Sequence, residues 1–486
     1  MFKNFHGFHL LDNYTQQKKE HRQRKNPIGV RSLKIAFVVL VTLLLWFIPA
    51  ASYGLSDINL VEQRVIAVFA FAALMWFLDA VPAWTTSLMV VVLLLFTASD
   101  SALWFMQLDA DGSKFSNLIS YKAILACFAD PTIMLFIGGF IIAIAATKSG
   151  LDVKLAKVML APFGTKSENV LLGFILVTAV FSMFISNTAT AAMMLTFLTP
   201  VLKGLPADGK GKIGLALAIP IGANIGGIGT PIGTPPNAIA LKYLNDPEGM
   251  NLGIGFGQWM LVMVPLTLIL LFIAWLVLKT MFPFKQKTIH LEIDDKHIKT
   301  DWRNYVVYVT FAVTILLWLT DSITGVIVKR DLEEISWSIL WMVAGAFSLG
   351  VALNQSGLAA HLIGSIPFDQ WSAIMVIVGS GLICYLMANF ISHTATAALF
   401  VPILAVVGSN MSSLAEFGGV GTLLIGVAVG SSVAMILPIS TPPNALADAT
   451  GMIKQKDMVK TGIIMGAVGL ILGYTALILA GKYGIL

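Results

Sequence analysis

Phe184-Ile-Ser-Asn-Thr-Ala-Thr-Ala-Ala192 returns 206 residues later as Phe390-Ile-Ser-His-Thr-Ala-Thr-Ala-Ala398. Downstream of each copy, Gly233-Thr-Pro-Pro-Asn-Ala-Ile-Ala240 is matched at an offset of 207 by Ser440-Thr-Pro-Pro-Asn-Ala-Leu-Ala447. A third pair, Lys148-Ser-Gly-Leu151 and Gln355-Ser-Gly-Leu358, keeps the same register, so the chain is an internal duplication. Each half sets small polar residues, Gly and Pro inside otherwise apolar sequence. In a bilayer, helices broken at corresponding places in two repeats mark the binding site of a protein that moves a solute.

Composition fixes the class. With 57% hydrophobic and 12% charged residues over 486 positions, too little polar surface exists for a soluble protein. Continuously apolar runs such as Ile35–Ala51, Trp259–Met281 and Ile463–Ala480 suit helices that cross about 30 Å of hydrocarbon, and their lack of alternation excludes a β-barrel. The expected fold is therefore all-α and polytopic, with two inverted repeats, two re-entrant hairpins and two broken transmembrane helices. The net charge of +5 is no nucleic-acid signal, because much of it lies in Lys18–Lys34 before the first span. The positive-inside rule places that end in the cytoplasm, and the inverted repeat places Leu486 on the opposite face. No cleavable signal peptide is read in the long polar tail. Cys127 and Cys384 sit in apolar surroundings and read as packing residues.

Along the chain, 1–32 reads as a polar basic tail and 33–98 as about three spans. Pro131–Ser149 is a further span, and Leu151–Phe163, with Lys154 and Lys157, an interfacial amphipathic helix. The apolar stretch 169–203, interrupted near Ser186–Thr188, suits a re-entrant hairpin with the polar triplet at its tip. Residues 213–240 form a span broken at Gly226–Pro236, followed by a span at 257–281 and a charged divider at 285–303. The second half repeats the order: spans at 304–320 and 337–353, hairpin 371–407, broken span 419–447 and a last span at 460–482.

Four places carry the chemistry: Ser186-Asn187-Thr188, Gly233-Thr234-Pro235, Ser392-His393-Thr394 and Ser440-Thr441-Pro442. Where a helix is interrupted inside a membrane, freed N–H groups can meet an anion and freed carbonyls a small cation. Pro forces the break, Gly permits the unusual backbone, and Ser, Thr and Asn add hydroxyl and amide groups. No Lys or Arg lies within these segments, so a bound anion would be neutralised by dipoles, hydrogen bonds and a co-bound cation or proton. If each triplet grips one carboxylate, the ligand has two carboxylates on a short carbon chain. Helix packing alone could explain one such motif, but not two matched pairs in register. Gly227–Gly233 has neither the Rossmann spacing nor the lysine of a phosphate loop. A channel would need a continuous polar path. An intramembrane hydrolase would need a nucleophile beside a base, whereas the adjacent Ser392 and His393 diverge. Asp79 reads as an interfacial helix-end residue and His361 as an interface or loop residue.

Two SNT-type hairpin triplets, each followed by a (S/T)PPNA motif, resemble the divalent anion/sodium symporter family of dicarboxylate and citrate transporters. Pro131-Thr-Ile-Met-Leu-Phe-Ile-Gly-Gly-Phe140 is similar to that family's fourth span. The resemblance covers the chain from about residue 33 to the C terminus. It implies an elevator-type homodimer with a scaffold at 33–130, 249–336 and 451–486, and a transport domain at 131–248 and 337–450. By position it implies substrate contacts from Ser186, Asn187, Thr188, Thr234 and Pro235 in one half, and from Ser392, His393, Thr394, Thr441 and Pro442 in the other. A first sodium site would use Ser182, Ser186, Asn187 and Gly233; a second would fall on Ala388, Ile391, His393 and Ser440.

Two departures stand out. At His393 the family has Asn, and an imidazole offers nitrogen where Na⁺ prefers oxygen. A proton on His393 could instead supply the positive charge. The second half is also shorter before its 337–353 span, because 321–336 carries Lys329, Arg330, Asp331, Glu333 and Glu334 and cannot cross a membrane. The expected activity is dicarboxylate exchange (C4 acids such as succinate, malate and fumarate, or 2-oxoglutarate) by a secondary transporter of the inner membrane. Sodium-coupled symport is the alternative, citrate and sulfate are other candidate substrates, and no cofactor beyond a coupling Na⁺ is expected.

Overall fold

The computed structural model describes residues 28–53, 58–78, 80–109, 111–129, 149–205, 209–245, 250–289, 302–319, 337–358, 371–390, 392–438 and 440–484, with His361 and scattered positions of 133–146. The tail at 1–27, Asp79, most of the Pro131–Phe140 span, Ile391 and the short segment at 321–336 lie outside the described residues.

The described chain is helical, and its only β pairing there is isolated bridges. Three helices open it: α1 (Ile28–Phe47), α2 (Leu60–Leu78) and α3 (Ala83–Thr97). The first begins at Ile28, inside the stretch read as tail, directly after Pro27, a residue suited to a helix start. After the short α4 (Tyr121–Ala126) comes α5 (Leu151–Leu160), entered through Gly150 in the left-handed region at φ 67°. The first hairpin is α6 (Ser167–Phe184) and α7 (Asn187–Gly204), and the first broken helix is α8 (Lys210–Gly226) and α9 (Pro235–Leu244). A long α10 (Phe256–Met281) closes that half. The second half contributes α11 (Trp302–Leu319), α12 (Trp337–Gln355), the hairpin α13 (Ala373–Ala388) and α14 (His393–Ser409), the broken pair α15 (Gly419–Ser432) and α16 (Pro442–Ala449), and α17 (Gln455–Lys482).

Six of these helices are long and apolar enough to cross a membrane. This is a polytopic membrane protein. Position in the bundle differs sharply between spans: 6% of the α1 span is buried inside the protein, against 89% of Lys210–Gly229. Leu33, Phe37, Leu40, Leu43 and Leu44 on α1 are exposed, a surface that hydrocarbon rather than water would cover.

Within each half, the broken helix packs on its own hairpin, α8 on α6 and α15 on α13. Small residues permit the approach. A Cβ on Gly222 would sit 2.8 Å from the Ile175 carbonyl oxygen, and one on Gly430 would sit 2.7 Å from that of Gly381. Between halves the pairing crosses over: α7 packs on α16, and α14 packs on α9. Around this centre α10 lies on α8, α17 on α15, and α10 on α17, while α12 packs along α3 and also meets α14. Half-exposed His361 meets buried Glu62 of α2, Nδ1 to Oε1 at 2.7 Å.

Candidate functional site

All four polar motifs lie at helix N-termini. Ile185 and Ser186 are extended, which ends α6, and the Ser186 hydroxyl then caps α7 by accepting from the Ala189 N–H at 3.3 Å. Ser392 repeats this for α14, accepting from Ala395 N–H at 3.1 Å. Thr234 and Thr441 are the extended residues before α9 and α16, and Pro235 and Pro442 occupy the first helical position, where a missing N–H costs nothing. The uncapped N–H groups of four helices, two from each half, therefore supply partial positive charge without a cationic side chain.

In the first half the tip of the hairpin meets the break. Ser182 Oγ lies 2.5 Å from Asn187 Oδ1 and 2.8 Å from the Ala223 carbonyl. Asn187 rests on bare backbone, since a Cβ on Gly227 would come within 2.8 Å of its Oδ1. Gly233 faces Gly227 so closely that its own Cβ would lie 2.8 Å from the Gly227 Cα. Thr230, absent from the sequence reading, donates to the Met183 carbonyl and accepts from Gly233 N–H at 3.0 Å. Asn237 Nδ2 gathers the carbonyls of Gly227 (3.0 Å), Ile228 (3.3 Å) and Thr230 (2.8 Å), holding the break open as a loop. Ser182, Asn187 and Gly233 are thus brought together with Ser186 adjacent. Hydroxyl, amide and carbonyl oxygens form a donor set that fits a hard cation such as Na⁺.

The second half fills the same frame differently. His393 Nε2 lies 2.6 Å from the Ala434 carbonyl, and Ala434 matches Gly227 at the repeat offset. A carbonyl only accepts, so Nε2 carries hydrogen there and Nδ1 is the nitrogen that titrates. Ser440, in the place of Gly233, donates to the Asn389 carbonyl at 3.0 Å and accepts from Leu437 N–H at 3.0 Å. Asn389 stands where the first half has Met183, and its Oδ1 accepts from Ile436 N–H at 2.8 Å. Asn444 Nδ2 gathers the carbonyls of Met435 and Leu437 at 2.9 and 3.1 Å, as Asn237 does in the first half. Ala388 has no polar side chain, His393 presents a donor, and the Ser440 hydroxyl is engaged. Among the described residues of this set, Ala388 and His393 bring no side-chain oxygen for a second Na⁺. Thr188 and Thr394 occupy the first turns of α7 and α14, and Thr394 is 9% exposed. Among the described residues no group of three or more His, Cys, Asp or Glu could hold a metal ion.

The citrate transporter family profile matches residues 69–417, most of the chain. The chain belongs to that family. Among its relatives, a sodium-dependent high-affinity dicarboxylate transporter 3 of Caenorhabditis elegans is 30% identical over 416 residues, covering 70% of this chain and 72% of its own. The sodium-dependent dicarboxylate transporter SdcS of Staphylococcus saprophyticus is 26% identical, covering 92% of this chain and 90% of its own length. The inorganic phosphate transporter PHO87 of Saccharomyces cerevisiae is 29% identical over 86% of this chain and 46% of its own. Family members and relatives alike are transporters, which agrees with the resemblance to divalent anion/sodium symporters and sets enzymatic readings aside.

Proposed function

We propose that the protein is a secondary active transporter of small dicarboxylates, C4 acids or 2-oxoglutarate. The observation that carries this reading is the duplicated site: two capped hairpin tips and two proline-led helix starts, with Ser186, Asn187, Thr188, Thr234 and Pro235 serving one carboxylate. Ser392, His393, Thr394, Thr441 and Pro442 serve the other. Helix N-termini and hydroxyls suit anionic oxygens, and the sodium-dependent dicarboxylate relatives support the same substrate class. A phosphate relative favours one competing substrate. Competition decides between them. Labelled succinate uptake by the purified protein in liposomes should be blocked by excess unlabelled malate and spared by inorganic phosphate; the reverse pattern would overturn the assignment.

Transport proceeds by an elevator, the hairpins and broken helices moving against a frame in a homodimer of the inner membrane with a cytoplasmic N terminus. Helix packing supports a redrawn division. α10 and α17 lie on the broken helices and travel with them, while α12 lies along α3 and stays with the frame. The cycle is exchange, because His393 occupies the place of a cation ligand. With charge compensation fixed to the protein, an empty carrier would carry a buried uncompensated charge or lose its proton, so the loaded form crosses more readily. Sodium-coupled symport is the second reading, favoured by the oxygen cluster at Ser182 and Asn187 and by the sodium dependence of the relatives.

A further inference from the structure

Asn224, in the last turn of α8, is 1% exposed and belongs to none of the four motifs. Its Nδ2 reaches across the repeat boundary to Thr441 Oγ1 at 3.1 Å and Asn444 Oδ1 at 3.0 Å. The direction of these bonds is fixed by a chain of constraints. The Met435 and Leu437 carbonyls accept from Asn444 Nδ2, so its other terminal atom is an acceptor. Asn224 must therefore turn Nδ2, not Oδ1, toward Asn444, and the same Nδ2 donates to Thr441. The Asn444 backbone N–H also donates to Thr441 Oγ1, at 3.2 Å. A hydroxyl oxygen has two lone pairs and one proton. Both lone pairs of Thr441 are filled by N–H donors, so its O–H can only donate, and no acceptor among the described residues takes it.

We propose that Asn224 is a positioning residue that sets Thr441 as an obligate hydrogen-bond donor, selecting a deprotonated, acceptor-only oxygen on the substrate. This rests on the reading of Thr441 as a substrate contact. The first half lacks the device. Ser431 holds the position matching Asn224, and its hydroxyl and Asn237 Oδ1, the counterpart of Asn444 Oδ1, are both buried with no hydrogen-bond partner among the described residues. Thr234 makes no capping bond with its side chain. The two ends of the site therefore differ: Thr441 is pre-set to donate, whereas Thr234 is free to donate or accept. A dicarboxylic acid with one carboxylate always ionised suits the Thr441 end, and the Thr234 end tolerates a protonated or hydroxylated group.

A double-mutant cycle on labelled succinate uptake in proteoliposomes tests this. Thr441→Ala should raise KM roughly 10-fold, with Vmax changed less, the effect of one lost hydrogen bond at a desolvated site. Asn224→Ser, which copies the residue of the other half, should raise KM by a similar factor and should add almost nothing in the Thr441→Ala background. If Asn224→Ser does not insert, Asn224→Ala in this small-residue helix serves the same cycle. Full additivity of the two substitutions, or an unchanged KM for the Asn224 variant while Thr441→Ala is impaired, would overturn the positioning role alone. An unchanged KM for Thr441→Ala would remove the substrate site at Thr441 and the positioning role with it.

Discussion

The two halves of the bundle share a backbone plan and differ in what fills it. At the first break, Gly227 and Gly233 press backbone on backbone beneath Asn187; at the second, Ala434 and Ser440 occupy those places beneath His393. The first half is held by one amide, Asn237, on three carbonyls. The second adds a side-chain lashing, in which the Ser440 hydroxyl lies 3.0 Å from the Asn389 carbonyl and 3.3 Å from its Oδ1, and sets an imidazole where Asn187 stands. A duplicated frame thus allows one copy to hold an amide against a serine hydroxyl while the other holds an imidazole against a backbone carbonyl.

The sharpest way to break the comparison is to impose one half on the other. Gly233→Ser places a Cβ where the Gly227 backbone already stands, with the Gly227 Cα 2.8 Å away, and no rotamer relieves a backbone clash. Overpacking of this kind costs about 1–3 kcal/mol or more. Uptake should be abolished and the thermal transition lowered, whereas Ser440→Gly in the other half should leave folded, partly active protein. Equal tolerance at both positions, read by uptake and melting, would show that the breaks are not packed differently.

Next in size is Asn187→Ala, which removes the amide that meets Ser182 at 2.5 Å. Losing a hydrogen bond at a desolvated site costs about 1–3 kcal/mol, hence roughly 5- to 150-fold in apparent affinity. Uptake at limiting succinate should fall accordingly while the protein still inserts; wild-type uptake would remove Asn187 from the site.

His393→Asn makes the second half resemble the first, and the effect should be on coupling more than on rate. In the unmodified protein, transport should depend on pH through protonation of the His393 ring. The Asn variant should lose most of that dependence and gain sodium stimulation, limited because Ala388 still lacks a side-chain oxygen. pH profiles of uptake with and without sodium measure both changes, and an unaltered profile would detach His393 from coupling.

The smallest effect is expected outside both breaks. His361→Gln exchanges the half-exposed partner of buried Glu62 for a neutral amide, and Glu62 Oε2 keeps the Asn59 N–H at 3.0 Å, so the change is worth one hydrogen bond, about 0.5–1.5 kcal/mol. Uptake should stay within about 2-fold of wild type; a large loss would move the sensitive contact to Glu62 on α2.

Much of this was legible in the sequence because Pro, Gly and Ser punctuate apolar runs at fixed offsets. Hairpin tips at Ser186 and Ser392, and helix starts at Pro235 and Pro442, follow from capping and proline chemistry alone. The cross-repeat packing was not legible. Asn224 is a lone polar residue in an apolar helix, and its partners lie 217 and 220 residues away, beyond any periodic signal. Asn389 and Thr230 escaped for the same reason: each bonds to backbone more than 40 residues distant. Asn237 and Asn444 were in view within the PPNA motifs, but that they hold open the loops became visible only with the carbonyls in place.

The central claim is that His393 has replaced a coupling cation and so ties inward movement to outward movement. Labelled succinate uptake into proteoliposomes, with and without internal dicarboxylate and with and without a sodium gradient, tests it most directly. Uptake should require internal dicarboxylate and respond little to sodium. Strong sodium-driven uptake into vesicles free of internal dicarboxylate would contradict exchange and leave sodium-coupled symport in its place.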